Sequence, residues 1–158
     1  MSSYRVVAIP SEVAEQVRNT GKSPNYGFPA HREVAAGRAP CRHCLKLIRK
    51  NEEELLLFTY DPFRELDEPP LPGPVYIHAA ECARHPEGDV IPEDYRGRLL
   101  TLEGYGENRA LVREIRVSEG AEERAAEQLF SEAKVRYINV RSTEAGCFLF
   151  RLERVEAE

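Results

Sequence analysis

The sequence predicts an α+β fold in which a mostly antiparallel sheet packs against one main helix. The first observation is the segment 121–134, where apolar residues recur at helical spacing and glutamates occupy the opposite face. The second is a series of short alternating segments that do not follow the regular strand–helix order of a parallel sheet. The third is a segment rich in cysteine and proline, residues 40–85, that follows neither pattern. We expect a single domain over residues 1–158 with two or three helices, and we treat 40–85 as an excursion from its sheet.

In the N-terminal half, residues 4–9 alternate as a strand and Ser11 begins a short helix that ends at Gly21. Glycine, proline and asparagine then predict an ordered but irregular arm over residues 21–40. The remaining strands of this half are predicted at 46–49, 55–60 and 75–77.

The C-terminal half predicts a hairpin, the main helix and a closing pair of strands. Residues 79–84 can form one or two helical turns, and 92–98 can form a short helix. The predicted hairpin strands are 99–105 and 110–117, and the closing strands are 135–141 and 147–155.

Composition limits the class of protein. Hydrophobic residues make up 42% of the 158 residues and charged residues 31%, which is typical of a soluble globular chain. A net charge of −5 disfavours a nucleic-acid partner and leaves an unknown protein or small molecule. The first ten residues do not resemble a signal peptide, and no run reaches the roughly 18 apolar residues of a membrane span. We therefore expect a cytoplasmic protein, whose four cysteines serve as ligands, catalysts or buried thiols rather than as disulfides.

Two short motifs carry the recognisable chemistry. Cys41 and Cys44 are two thiols at the spacing of a tight metal-binding turn, and His78 and Cys82 lie four residues apart. On a helix, that second spacing would place both side chains on one face. Zinc prefers four tetrahedral ligands drawn from thiolate and imidazole. These four residues therefore predict one Zn²⁺ site.

The order of these ligands resembles a treble-clef zinc finger in spacing, so residues 40–85 are interpreted as a zinc-finger-like subregion. The proline-rich stretch within residues 45–77 makes the interval longer than in compact fingers. A closed site with four protein ligands would be structural, whereas His43 or His85 in place of one ligand could leave an open, catalytic position. The first functional hypothesis is a zinc-stapled binding or interaction module.

A second interpretation uses some of the same residues for a Rieske-type two-iron cluster, which takes two cysteines and two histidines. The residues in this pattern are Cys41, His43, Cys82 and His85. Tight glycine-rich loops are missing around them, and Cys44 and His78 would have no role. The sequence therefore disfavours an iron–sulfur cluster.

A third interpretation is a thiol redox enzyme that uses Cys41 and Cys44, with residues 45–50 as the helix that would lower the pKa of the first thiol. The residues before Cys41 do not form the buried strand that usually precedes such a pair. Cys147 is a further thiol, which a strand pattern places as a buried residue and which could otherwise act as a free nucleophile. The candidate catalytic residues are thus Cys41, Cys44 and Cys147, and whether the chain is an enzyme is left open.

Several longer motifs are similar to domain-of-unknown-function family 1203. They are Pro40-Cys41-Arg42-His43-Cys44-Leu45, residues 55–63 with Tyr60-Asp61-Pro62-Phe63, Gly73-Pro74-Val75-Tyr76-Ile77-His78 with Cys82, and Val140-Arg141 with Gly146-Cys147-Phe148. The resemblance covers nearly the whole chain. It implies a bacterial single-domain protein of about this length, and it implies no particular activity.

Overall fold

The computed structural model describes residues 4–117 and 119–155, which contain two helices and ten strands. In chain order the elements are β1 (Tyr4–Val7), α1 (Ser11–Thr20), β2 (His31–Val34), β3 (Ala39–Pro40), β4 (Leu47–Ile48), β5 (Glu54–Tyr60), β6 (Gly73–His78), β7 (Leu100–Tyr105), β8 (Leu111–Val117), α2 (Glu122–Phe130), β9 (Tyr137–Ser142) and β10 (Phe148–Arg154). Short 3₁₀ turns lie at Glu93–Tyr95 and Glu107–Arg109. The predicted α+β class is confirmed. Residues 1–3, 118 and 156–158 lie outside the described residues. Residues 1–3 belong to the segment that we did not expect to be a signal peptide, and 156–158 form the end of the expected domain.

The larger sheet has five strands in the order β1-β10-β9-β7-β8, and every neighbouring pair is antiparallel. It contains both the predicted hairpin (β7 and β8) and the predicted closing strands (β9 and β10). Helix α2 covers one face because its apolar stripe, including Ala126 and Leu129, is fully buried. These residues form one core with Ile138, Val140 and Phe150 of the sheet.

Helix α2 is shorter than the predicted 121–134 because the chain turns after Phe130 to bury Val135 in this core. Val135 packs directly on the backbone of Gly104. A Cβ at position 104 would lie 3.1 Å from Val135 Cγ2, a closer approach than most side chains make. The glycine therefore permits the close contact between the end of the helix and β7.

A smaller sheet, β2-β5-β6, lies beside the short pair β3-β4. Helix α1 packs in the second core, with Val13, Ala14 and Val17 buried in one cluster with Leu55 and Phe58 of β5. Its Gly21 adopts a left-handed conformation with φ 66° and ends the helix as predicted.

Strand β2 corrects the prediction that residues 21–40 are irregular throughout. His31–Val34 pairs with β5 in the register Arg32 to Leu56, and β3 also falls in this arm. All four residues of β2 are exposed, so no hydrophobic alternation marks the strand in the sequence. Backbone pairing with the apolar β5 holds it in place.

The predicted helical turns over residues 79–84 are wrong. Residues 79–86 form a bend followed by irregular backbone, because local groups bond to distant parts of the chain instead of to a helix. The Ala79 N–H donates to Glu54 O at 2.9 Å and so extends the ladder between β5 and β6. The His85 N–H donates to His43 O at 2.9 Å, and the Arg84 side chain donates to the carbonyls of residues 8 and 9. His78 and Cys82 consequently do not share a helix face.

Neither described helix has the length and apolar character needed to cross a membrane.

Phe150 provides a test of the larger core. Its side chain is fully buried and its ring meets that of Tyr95 edge-on at 5.2 Å between centroids. We expect Phe150→Ala to lower the free energy of unfolding by about 3–5 kcal/mol, measured by urea denaturation, because it opens a cavity. The control is Phe28→Ala, since Phe28 is 60% exposed and should change stability by less than about 0.5 kcal/mol. Equal effects of the two substitutions would contradict the assigned packing.

Candidate metal centre

Four potential ligand atoms from two distant parts of the chain lie together. The sulfur atoms of Cys41, Cys44 and Cys82 and a ring nitrogen of His78 are all within 4.8 Å of one another. Cys41, Cys44 and His78 are buried and Cys82 is half-buried. The predicted convergence of these residues is therefore confirmed, and the group could hold a metal ion.

The distances within this Cys₃His group fit a tetrahedral ion. Cys41 Sγ lies 3.8 Å from Cys82 Sγ, and Cys44 Sγ lies 3.4 Å from His78 Nδ1. With metal–sulfur and metal–nitrogen bonds of about 2.3 and 2.0 Å, a tetrahedron has edges of about 3.8 Å between sulfurs and about 3.5 Å between sulfur and nitrogen. These two distances match the edges of a coordination tetrahedron, and the remaining ligand pairs lie within 4.8 Å.

The turn Cys41–Cys44, which we call the knuckle, connects β3 to β4. Its backbone is closed by two hydrogen bonds of 2.9 Å, from the Leu45 N–H to Cys41 O and from the Cys41 N–H to Lys46 O. Leu45 takes a left-handed conformation with φ 58°, which costs a residue other than glycine about 1–3 kcal/mol. The Leu45 side chain is buried in the larger core and offsets part of that cost. The sequence thereby folds the knuckle so that both thiols face the same point.

His78 is oriented by its position at the end of β6. Its backbone N–H donates to Cys41 Sγ at 3.3 Å, while its Nδ1 faces Cys44. Its Nε2 lies 3.4 Å from Glu53 Oε2. In the tautomer that carries the proton on Nε2, the ring donates to Glu53 and leaves Nδ1 free to bind a metal, an arrangement common among metal-ligating histidines.

Arg18 of helix α1 and His43 of the knuckle both contact Cys82. Arg18 Nη2 donates to Cys82 Sγ at 3.2 Å, and the same guanidinium donates to His78 O from Nε at 3.1 Å and from Nη2 at 3.0 Å. His43 Nδ1 lies 3.2 Å from Cys82 Sγ, and its Nε2 lies 3.0 Å from Ser11 Oγ. Three thiolates around a divalent ion carry one net negative charge, which the Arg18 cation balances.

The neighbouring groups also shift the protonation of the ligands. Hydrogen bonding to the thiols of Cys41 and Cys44 lowers the pKa of Cys82 far below its ordinary value. Hydrogen bonds to Cys41 and Cys82 raise the pKa of His78 to about 10, against the opposing effect of burial. Hydrogen bonds to the same two cysteines raise the pKa of Cys44 well above its ordinary value. Because the raised pKa values favour protonated Cys44 and His78, binding of a metal would have to displace protons from both side chains.

The other candidate residues lie around this group rather than in it. His43 contacts Cys82 but does not belong to the mutual cluster, and neither does His85. Burial lowers the pKa of His85, with a smaller contribution from Lys46. Cys147 is also outside the cluster, and its sulfur accepts a hydrogen bond from Arg42 Nη2 at 3.0 Å.

The redox interpretation expected a helix over residues 45–50, and this expectation is corrected by the structure. The knuckle leads into β4 (Leu47–Ile48), because Pro40 and Leu47 pair across the β3–β4 ladder. No helix lies within residues 45–50 of the described chain, and Cys41 is completely buried. The helix on which the redox interpretation depends is therefore absent from residues 45–50.

Sequence reasoning missed the side chains that support the ligands. Ser11 and Arg18 are seven residues apart, so helical periodicity could have placed them on one face of α1. No feature of the sequence indicated that this face of α1 packs against Cys82. Glu53 stands in the acidic run 52–54, where no pattern distinguishes it from its neighbours.

A sequence model of the family described as "Protein of unknown function (DUF1203)" matches residues 38–154, which include the whole ligand group. No curated protein and no solved structure matches the chain.

Arg18 provides a test of the centre. We expect Arg18→Met to weaken binding of a divalent metal by about 10- to 100-fold, measured by competition with a chromophoric chelator, because it removes the donor to Cys82 and to His78 O. The matched control is Arg32→Met, since Arg32 is exposed on β2 and should leave the affinity unchanged. An Arg18→Met variant that binds metal as tightly as the control would refute this role.

Proposed function

The chain belongs to the DUF1203 family of proteins of unknown function, and we propose that it is a zinc-stapled binding module. The observation that carries this proposal is the convergence of three sulfurs and one imidazole nitrogen within 4.8 Å. The residues on both sides of the group supply the orientation and the charge balance that a resident cation needs.

Zinc is the metal that suits this ligand set best. Thiolate is a soft ligand and imidazole a borderline one, and their tetrahedral combination favours zinc over the hard, oxygen-seeking ions magnesium and calcium. Three cysteines with one histidine match a common structural zinc set, whereas a Rieske cluster needs two of each.

The proposed role of the zinc is structural. All four tetrahedral positions are taken by side chains, so no position is left open for a water or a substrate. The ligands connect the knuckle, the end of β6 and the irregular residues 79–86, and Arg18 connects α1 to the same point. An ion at this position would cross-link segments that lack a regular ladder to one another.

The proposed activity is binding because two concave surfaces lie beside the knuckle. One groove of about 590 Å³ is bordered by Cys44 and His78 and extends to Glu81 and His85. A second cavity of about 250 Å³ includes Arg42 from the middle of the knuckle. The four free thiols further support a reducing compartment, and we propose the cytoplasm.

Elemental analysis tests the metal. We expect protein purified without added metal to contain one zinc per chain by inductively coupled plasma mass spectrometry. Cys41→Ser should lose that zinc, because it removes one of four ligands. Cys147→Ser should keep it, since Cys147 lies outside the cluster. Iron in place of zinc, or equal metal content in the two variants, would contradict the proposal.

Thiol reactivity gives an independent test. In the zinc-loaded protein only Cys147 should react readily with iodoacetamide, and chelation should make all four cysteines reactive. Hydrogen exchange should show loss of protection in residues 41–85 on chelation, because the cross-link is removed. A metal-free protein with a reversible disulfide between Cys41 and Cys44 would instead support the redox enzyme.

A further inference from the structure

The cavity on the Arg42 side of the knuckle has an unusual charge. Three guanidinium groups line it, from Arg38, Arg42 and Arg98, with the single carboxylate of Glu144. This is an excess of two positive charges in a chain whose net charge is −5. Within the described residues, no carboxylate lies within 4.0 Å of these three guanidinium groups. The cavity thus collects cations that make no direct ion pair in the described residues.

Arg42 is held rigidly at this cavity. The residue is 1% exposed, and its guanidinium donates to Phe148 O at 2.8 Å, to Pro40 O at 2.7 Å and to Cys147 Sγ at 3.0 Å. Its Cζ also lies 5.6 Å from the centre of the Tyr76 ring. Neutral partners fix the position of this buried cation without cancelling its charge.

Arg98 brings a second cation with unused hydrogen-bonding capacity. Its Nε donates to Asp94 O at 2.8 Å, while its buried Nη2 has no hydrogen-bond partner in the described parts of the chain. Burial lowers the pKa of Arg98 and the nearby charge of Arg38 lowers it further, against smaller opposing effects of Tyr95, Asp94 and Glu144. An anion bound in the cavity would relieve the repulsion between the two arginines.

The rest of the lining is largely apolar. Tyr95, Leu100 and Leu149 are buried side chains that face the cavity, and Leu99 is 55% exposed on the same lining. A volume of about 250 Å³ suits a small organic molecule rather than a nucleotide.

We propose that this cavity binds a small organic anion, with a carboxylate or phosphate head group at Arg42 and Arg98 and an apolar body against Leu100 and Leu149. This inference rests on the proposed function, because the zinc-held knuckle positions Arg42. It names the class of ligand that the binding module takes.

Isothermal titration calorimetry of the zinc-loaded protein tests the proposal with three probes of similar shape. Benzoate and phenyl phosphate carry the acidic head groups, and benzamide is the uncharged control. We expect both anions to bind and phenyl phosphate to bind more tightly, because its dianion matches the excess of two positive charges. Failure of both anions to bind at millimolar concentration, or benzamide binding as tightly as benzoate, would overturn the proposal.

Three variants test the assigned lining with the better anion. Arg98→Met should weaken binding by about tenfold or more, since it removes one of the three positive charges that line the cavity. Glu144→Gln should strengthen binding by about two- to fivefold, because it removes the single opposing carboxylate. Arg116→Met is the control for loss of one positive charge, since Arg116 is exposed on β8 and lies outside the cavity. Equal affinities of the Arg98→Met and Arg116→Met variants, both with normal circular dichroism, would contradict the assignment.

Cys147 provides a readout that does not depend on heat of binding. Its thiol lines the cavity beside Arg42, so a bound anion should slow its alkylation by iodoacetamide in the zinc-loaded protein. Alkylation at the same rate with and without saturating anion would count against this location. Zinc content measured on the same sample separates the two proposals. One zinc per chain without anion binding refutes only the anion site. Anion binding by a protein that contains no zinc refutes only the zinc staple.

Discussion

The contact between the knuckle and the end of β6 is the interaction on which the centre of the molecule depends. The Arg42 N–H donates to Tyr76 O at 3.0 Å, and the Ile9 N–H donates to Arg42 O at 3.1 Å. The knuckle also lies between the two main cores, since Leu45 is buried in the larger one and Cys41 and Cys44 in the smaller. The same few residues therefore join both sheets and the start of α1.

Such a junction is costly unless its polar groups are satisfied. Burying three thiols and an imidazole removes them from water, and any charged form among them needs a compensating partner. Arg18 and Glu53 supply one cationic and one anionic partner at the edge of the group, and the backbone N–H of His78 supplies another donor. Under the proposed function, a central cation displaces the protons of these ligands and completes the charge balance. The positions of the four ligands are then fixed by their bonds to the cation.

The sequence predicted the parts of the fold in which local pattern and packing agree. Helix α2 and the β7–β8 hairpin have clear periodicities, and their apolar faces are the ones that the core buries. Strand β2 escaped prediction because its residues are all exposed and its pairing depends on backbone alone. Residues 79–84 were mispredicted because the helical preference of Ala79-Ala80-Glu81 is overridden by bonds to β5 and to the carbonyls of residues 8 and 9.

The candidate site was predictable to a similar extent. Its ligands are uncommon residue types at characteristic spacings, so their convergence could be inferred before the chain path was known. The helix expected to bring His78 and Cys82 together is absent, and an irregular backbone brings them to the same point instead. Arg18, Glu53 and the Arg42–Cys147 contact depend on tertiary packing between distant segments, and no local pattern encodes that.

Neighbouring side chains of the knuckle have different partners: Cys41 and Cys44 lie beside His78, whereas Arg42 contacts Cys147. Under the two proposals, one backbone turn belongs to both the metal site and the anion site, and its position affects both. Thermodynamic linkage then requires reciprocity: whatever factor an occupant on the Arg42 side adds to the metal affinity, the metal must add to the affinity of that occupant.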